Sequence, residues 1–313
     1  MHKEVKSNSP LQNLMDNFAT EADSRALLER MRWPDGVNCP RDDCDSNKIM
    51  RFKSRPIFKC KKCKRQFSVT VGSIFEDSKV PLRTWLHIIY LMCSSKKGIS
   101  AHQVHRQFGV TYKTAWYLCH RIRYSMIDTW DTPLTGVIEA DETYVGGKPR
   151  RHPSKKIGTM PEAVSKAKRN KTPVFGMLER GGRVRAIAMK PITKKGVQVR
   201  LRQNIDLANS RLVTDESFLY DGIGAYLPHD TIRHADAYIV GDNIHTQGIE
   251  NFWSLLKRGL IGTYHHVTPH YLHQYVGEFA FRFNARKMTD PERFAHALGN
   301  VEGRLTWFRA PKS

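Results

Sequence analysis

Acidic residues are scarce in this chain. Its 313 residues include 30 Asp and Glu against 51 Lys and Arg, a formal net charge of +21. Such an excess favours a polyanionic partner, because each phosphate neutralised releases condensed counterions, and nucleic acid is the leading candidate. Long apolar runs are also missing. The longest, such as HIIYLMC from His87, fall far short of the roughly 20 residues of a membrane span. The opening MHKEVKSNSP lacks the apolar core of a signal peptide, so an intracellular protein is expected. Cysteine is limited to six residues, four of them in a metal pattern, with Cys93 and Cys119 inside helical apolar patterns. That usage fits a reducing compartment and argues against a disulfide framework. No internal repeat is present.

What is there divides into four segments. Residues 1–34 hold a polar tail and a short amphipathic helix closed by Leu27, Leu28 and Met31 before Pro34. Residues 35–76 form a small, polar, cysteine-bearing unit. Over 77–131 the apolar residues take a helical period, with Trp85, Ile88, Ile89 and Met92 on one stripe. From 132 to 313 strand-like stretches (VIEAD, VFGMLE, VRAIAMK, RLVTD, AYIV) precede a helical tail from about Gly248, interrupted near Gly262 and Pro269. This pattern predicts an α/β domain. A basic loop at 148–171, with Lys155, Lys156, Lys168 and Arg169 and a single Glu162, interrupts the strands. It is either a solvated loop or one that orders on DNA phosphates.

Cys39 and Cys44 make one knuckle, Cys60 and Cys63 the other, and Lys59, Lys61, Lys62, Lys64 and Arg65 flank the second. Four thiolates match the tetrahedral, soft-ligand preference of zinc and leave no place for water, so the site is structural, a zinc ribbon. Further on, Ser100 to Gln103 has the form of a capping box, Gly109 makes a turn, and Thr111 is an N-cap for TYKTAWYLCHRIR. The pair is either an ordinary helical hairpin or a helix-turn-helix presenting Tyr112, Lys113 and Thr114 to base edges. The cationic residues His120, Arg121 and Arg123 favour DNA.

Three acids complete the pattern. Strand alternation in VIEADETYVGG puts Glu139 and Asp141 on one face and Ile138 and Ala140 on the other. Asp215 ends the apolar stretch RLVTD in the same way. In HTQGIENFWSLLKRG, Ile249, Phe252, Trp253 and Leu256 form a buried stripe with Glu250 and Lys257 at its margin. Carboxylates at two strand ends and on a following helix can converge on a pair of divalent cations for phosphodiester chemistry. Glu139, sharing the face of Asp141, is a candidate for a supporting role.

The combination resembles the DDE transposases of bacterial insertion sequences, in particular the ISXO-like group with an N-terminal zinc ribbon, which is similar to the eukaryotic Merlin elements. The resemblance rests on the ribbon, the helix pair, DETYVGGK from Asp141, TPVFGMLER from Thr172, HTQGIENFWSLLKRGLIGTYHHV from His245 and EFAFRFN from Glu278. It implies a ribonuclease H-like catalytic domain preceded by a zinc ribbon and a helix-turn-helix. It also implies Asp141, Asp215 and Glu250 as a triad for Mg2+ or Mn2+, with Lys257 as the accompanying basic residue and Asn251 as an alternative third ligand. The implied partner is double-stranded DNA, both terminal inverted repeats and target, engaged by a homodimer or higher oligomer in the bacterial cytoplasm at the nucleoid. A nuclease or resolvase of the same fold, and a zinc-containing DNA-binding regulator without activity, are the competing readings.

Overall fold

The computed structural model describes residues 16, 18–41, 43–44, 46–128, 131–146, 171–232 and 245–303. The first ten residues, the basic loop with Lys155, Lys156, Lys168 and Arg169, and the expected strand AYIV lie outside the described residues. The chain forms two compact units, one built from residues up to Met126 and from Met288 onward, the other from Ile127 to Lys287.

In the first unit, helix α1 (Glu21–Arg32) starts at a capping box in which Thr20 and Asp23 satisfy each other's backbone N–H groups. Three short antiparallel strands follow, β1 (Ile49–Arg51), β2 (Phe58–Cys60) and β3 (Gln66–Phe67). Their small core joins Phe58 and Phe67 to the cysteines. Helix α2 (Leu82–Ser94) buries Trp85, Ile88, Ile89 and Met92, the stripe its sequence predicts. Helix α3 (Ala101–Phe108) begins at Ser100, whose hydroxyl accepts from the Gln103 amide, and ends at Gly109 with φ +65°. Thr111 then caps α4 (Tyr112–Ser125) by accepting from the Thr114 amide.

The cationic end of α4 is not on the surface. His120, Arg121 and Arg123 are buried, so their charge does not count in favour of DNA as the sequence suggests. Arg121 donates to the carbonyls of Glu76 and Ser73 and to the Tyr117 hydroxyl. With five donors, a guanidinium can be buried wherever carbonyls converge, and here it ties the 73–76 turn to α4.

The second unit is a five-stranded sheet in the order β6-β5-β4-β7-β8, comprising β4 (Leu134–Val145), β5 (Thr172–Glu179), β6 (Val184–Ala188), β7 (Ile205–Asp215) and β8 (His229–Ile232). β4, β5 and β6 run antiparallel in turn, whereas β7 pairs parallel to β4 and β8 parallel to β7. Helix α5 (Lys194–Asn204) covers one face, packing Val197 and Leu201 with Ile138, Ala140, Phe175 and Met177. Helices α6 (Gln247–Gly259) and α7 (Leu272–Asn284) cover the other, with Val174 and Leu178 against Ile249, Phe252 and Trp253. The alternation read in VIEAD therefore holds, and the odd-numbered residues of that stretch face α6. Between the two helices runs a π turn, Leu260–Tyr264, and a 3-10 turn starting at Pro269, where the sequence predicts interruptions.

Beyond Lys287 the chain returns to the first unit, so the packing divides the chain differently from the expected 132–313 segment. Phe294 of α8 (Asp290–Gly299) lies 5.8 Å from Phe18 and 6.0 Å from Tyr90, ring centre to ring centre. Glu302 pairs with Arg32 at 2.7 Å.

One buried acid fixes α6 on the sheet. Glu139 is fully buried, and its Oε1 accepts from Arg180 Nε at 3.0 Å while Oε2 accepts from the Ile249 amide at 2.9 Å. Ile249 lies in the first turn of α6, whose unpaired N–H groups and dipole favour a carboxylate. Gly248 allows the approach, because a Cβ there would stand 2.7 Å from Glu139 Oε2. Arg180 also donates to the His245 carbonyl at 2.8 Å, holding the lead-in to the helix. Glu139→Ala removes the acceptor of Arg180 Nε and of the Ile249 amide, and should destabilise the protein by about 3 kcal/mol. Glu139→Gln, which can still accept from Ile249, should recover part of that loss, and urea denaturation of the two variants measures both.

Candidate active site and metal centre

Asp141 and Asp215 owe their proximity to strand register. In the parallel pair, Glu139 stands opposite Val213, and two residues further along both strands come Asp141 and Asp215. Neighbouring strands are about 4.8 Å apart, and equal steps along parallel strands keep side chains on a common face of the sheet. Asp141 Oδ1 accepts from the Glu142 amide at 2.7 Å and Oδ2 from Trp253 Nε1 of α6 at 2.9 Å. Asp215 Oδ1 accepts from the Ser217 amide at 3.1 Å.

Glu142, on the opposite face from Asp141, clips the two strand ends together. It accepts from Ser217 Oγ at 3.3 Å and from the Tyr220 hydroxyl at 2.9 Å, so the segment leaving β7 is tied to the end of β4. The result is a concentration of negative charge. Burial, joined by the charges of Glu142 and Asp215, pushes the Asp141 carboxyl up to about 6 against the pull of its two hydrogen bonds. Tyr220 is raised well above the ordinary phenol range, by burial first and then by the field of the same carboxylates.

Glu250 and Lys257 are exposed on α6. Glu250 Oε1 accepts from Thr246 Oγ1 at 3.0 Å. Among the described residues, the three carboxylates do not gather their oxygens into one ligand cluster as the cysteines do. Three like charges drawn to one point without a cation between them would repel. Asp141 and Asp215 nonetheless supply hard oxygen donors in a strongly negative setting, a donor set that fits Mg2+ or Mn2+.

The cysteine quartet is the compact centre. The ligand atoms of Cys39, Cys44, Cys60 and Cys63 all lie within 4.8 Å of one another, with Cys39–Cys63 at 3.6 Å and Cys44–Cys60 at 3.7 Å between sulfurs. A tetrahedron with zinc–sulfur bonds of about 2.3 Å has edges of about 3.8 Å. The Cys63 amide donates to Cys60 Sγ and draws that thiol down to about 6, preparing a thiolate. The set fits one zinc ion.

Of the residues expected at base edges, Tyr112 and Lys113 are exposed at the start of α4, and Tyr112 stacks on His102 at 4.3 Å between ring centres. Thr114 is half-buried, its hydroxyl 2.9 Å from that of Thr111. Two residues of the acid site escaped the sequence reading. Trp253 is visible there only as one member of an apolar stripe, and nothing local reveals the destination of its N–H. Glu142 stands directly after Asp141 in the DET triplet, a signal that was available.

Residues 133–284 match the model of the ISXO2-like transposase domain, and residues 19–66 match that of the transposase zinc-ribbon domain. The chain belongs to this transposase family. A relative described as an uncharacterized protein in transposable element ISH50, from Halobacterium salinarum, is 29% identical over 259 residues, covering 78% of this chain and 84% of its own. In this transposase the zinc-ribbon match takes in α1, β1, β2 and all four cysteines, and the ISXO2-like match ends with α7. Membership implies DNA as partner and a DNA-cleaving activity of the DDE type. Among the described residues, no helix is long and apolar enough to cross a membrane.

The raised Asp141 carboxyl gives the transposase a pH signature. Folded protein holds this proton to about pH 6, whereas an unperturbed aspartate releases it near 3.8. Between those values the folded state binds more protons than the unfolded one, so stability falls as pH rises. The deficit at pH 7 is at most about 3 kcal/mol. Asp141→Asn should therefore stabilise the protein at pH 7 without divalent cations, and the gain should vanish by pH 4. Denaturant titrations at both pH values check it; an equal gain at each would contradict the assignment.

Proposed function

We propose that this transposase binds the terminal inverted repeats of its element, cleaves at their 3′ ends and joins those ends to target DNA, using a ribonuclease H-like catalytic unit. The observation that carries the reading is the pair Asp141, within β4, and Asp215, the last residue of β7, each two residues past the final pair of the parallel ladder and close enough that the charge of Asp215 acts on Asp141. The strand order, an antiparallel trio continued by two parallel strands with helices on both faces, supports the fold assignment.

Asp141, Asp215 and Glu250 would hold magnesium or manganese, which activates the attacking oxygen and stabilises the departing one. The chain's own part is positional. Trp253 and the Glu142 amide hold Asp141, Ser217 holds Asp215, and Lys257, two turns beyond Glu250 on α6, binds a DNA phosphate or terminal base near the reacting phosphate. Cleavage by water and joining by the freed 3′ hydroxyl are both in-line displacements at phosphorus, so a single site serves both and no covalent enzyme intermediate is needed. The zinc ribbon and the α3–α4 pair bind DNA, the latter as a helix-turn-helix. A homodimer or higher oligomer brings two element ends together, in the cytoplasm at the nucleoid.

Alanine at Asp141, Asp215 or Glu250 should abolish cleavage and joining of labelled repeat duplexes in Mg2+ while repeat binding persists. Activity in Glu250→Ala with loss in Asn251→Ala would move the third ligand by one residue. Cleavage without joining by the unmodified protein would identify a nuclease or resolvase, and no cleavage at all a DNA-binding regulator.

Sequence reading is assigned to Tyr112, Lys113 and Thr114, and sequence-blind phosphate contact to Lys155, Lys156, Lys168 and Arg169. Thr114→Ala should cost about 1–3 kcal/mol at particular base pairs of the repeat. Neutralising the four loop cations should weaken binding to repeat and scrambled duplexes alike and flatten the salt dependence. Anisotropy titrations at two salt concentrations separate these outcomes. Loss of repeat preference in the loop variant alone would reverse the assignment.

A further inference from the structure

Trp253 is 4% exposed and packs with Ile249, Phe252 and Leu256 in the core beneath α6. An indole there needs a hydrogen-bond partner for its N–H, and the partner is Asp141 Oδ2 at 2.9 Å, 112 residues away in the chain. The sheet is cut away to admit the ring. Gly176 stands opposite Asp141 in the β4–β5 register, and a Cβ on it would lie 2.6 Å from Trp253 Cζ2 and Cη2 and 2.9 Å from Ile249 Cδ1. The neighbours of Gly176 on that face, Val174 and Leu178, carry full side chains into the same core. The gap in the row faces the aromatic ring that bonds to the carboxylate.

We propose that Trp253, seated on Gly176, is a positioning residue that orients Asp141 for a divalent cation and couples that orientation to the docking of α6. The inference rests on the reading of Asp141 as a metal ligand. The chemistry of the donor is what distinguishes it. An arginine or lysine at this place would hold the carboxylate equally well, but its positive charge would oppose a cation. An indole N–H is neutral, cannot accept, and is not displaced by titration. It therefore fixes the carboxylate plane and engages one lone pair of Oδ2 while leaving the full negative charge in place. Orientation of a ligand carboxylate by an outer hydrogen bond is the kind of contact whose loss costs about 10- to 100-fold in metal affinity. Trp253 lies three residues beyond Glu250, on the next turn of α6. The same bond that orients Asp141 thus holds the helix carrying Glu250 at a fixed place along β4.

The test replaces Trp253 in the full-length, zinc-loaded protein with 3-benzothienylalanine, which keeps the shape of the bicycle and substitutes sulfur for the N–H. Mn2+ binding is measured by calorimetry, and thermal stability alongside it. The expected result is an Mn2+ affinity lowered about 10- to 100-fold with the thermal midpoint retained, a pattern that loss of packing alone would not give. Gly176→Ala, which pushes the ring off its seat, should lower Mn2+ affinity in the same direction from the other side of the contact. Wild-type affinity in the benzothienyl protein, together with lost binding in Asp141→Asn, would overturn the role of Trp253 and leave the active-site reading intact. Undiminished Mn2+ binding in Asp141→Asn would overturn both.

Discussion

The burial of Glu139 is the constraint on which the second unit is built. A carboxylate in the interior must be fully partnered or it destabilises the fold. Its partners are the Arg180 guanidinium just past β5 and the first-turn amide of α6, 41 and 110 residues away. Because those partners belong to different elements, satisfying the one acid joins β4, the β5–β6 turn and α6 at a common point. The helix is located by its end, where its free N–H groups offer directional bonds, and the apolar stripe then closes over Val174 and Leu178.

With α6 set in this way, the acid pair follows from strand geometry. Asp141 and Asp215 each come two residues after the last pair of the parallel ladder, and Asp141 accepts from Trp253 of α6. Glu142 works from the other face, accepting from Ser217 and Tyr220 so that the ends of β4 and β7 cannot splay. The three acids of the stretch EADE thus have three different duties: Glu139 holds the end of a helix, Asp141 accepts from Trp253 of that helix, and Glu142 clips the strand beside it. The cost is visible in the elevated Asp141 carboxyl, a local instability maintained by the packing around it.

Much of this was legible in the sequence because it is periodic or short-range. The alternation in VIEAD, the stripe in IENFWSLL, the cysteine spacing and the caps at Ser100 and Thr111 each depend on neighbours within a few positions. What escaped depends on distant partners. The Trp253 N–H and Asp141 are 112 residues apart, and no local rule connects them. The buried Arg121 misled for the same reason. Its charge is plain in the sequence, but the carbonyls of Ser73 and Glu76 that absorb it lie 48 and 45 residues upstream. The return of α8 to the first unit was likewise hidden, since an amphipathic helix does not say which apolar face it will cover.

That return has a bearing on synthesis. The first unit is made from two separate stretches of the chain, with the whole second unit threaded between them. While the chain leaves the ribosome, the zinc-ribbon half emerges early, but Phe18 and Tyr90 wait for Phe294 and Arg32 waits for Glu302. A prematurely terminated product therefore carries an unfinished N-terminal unit with uncovered aromatic surface, the kind of segment that proteases and chaperones act on. The order of the chain thus makes a complete first unit conditional on the second unit having been translated before it.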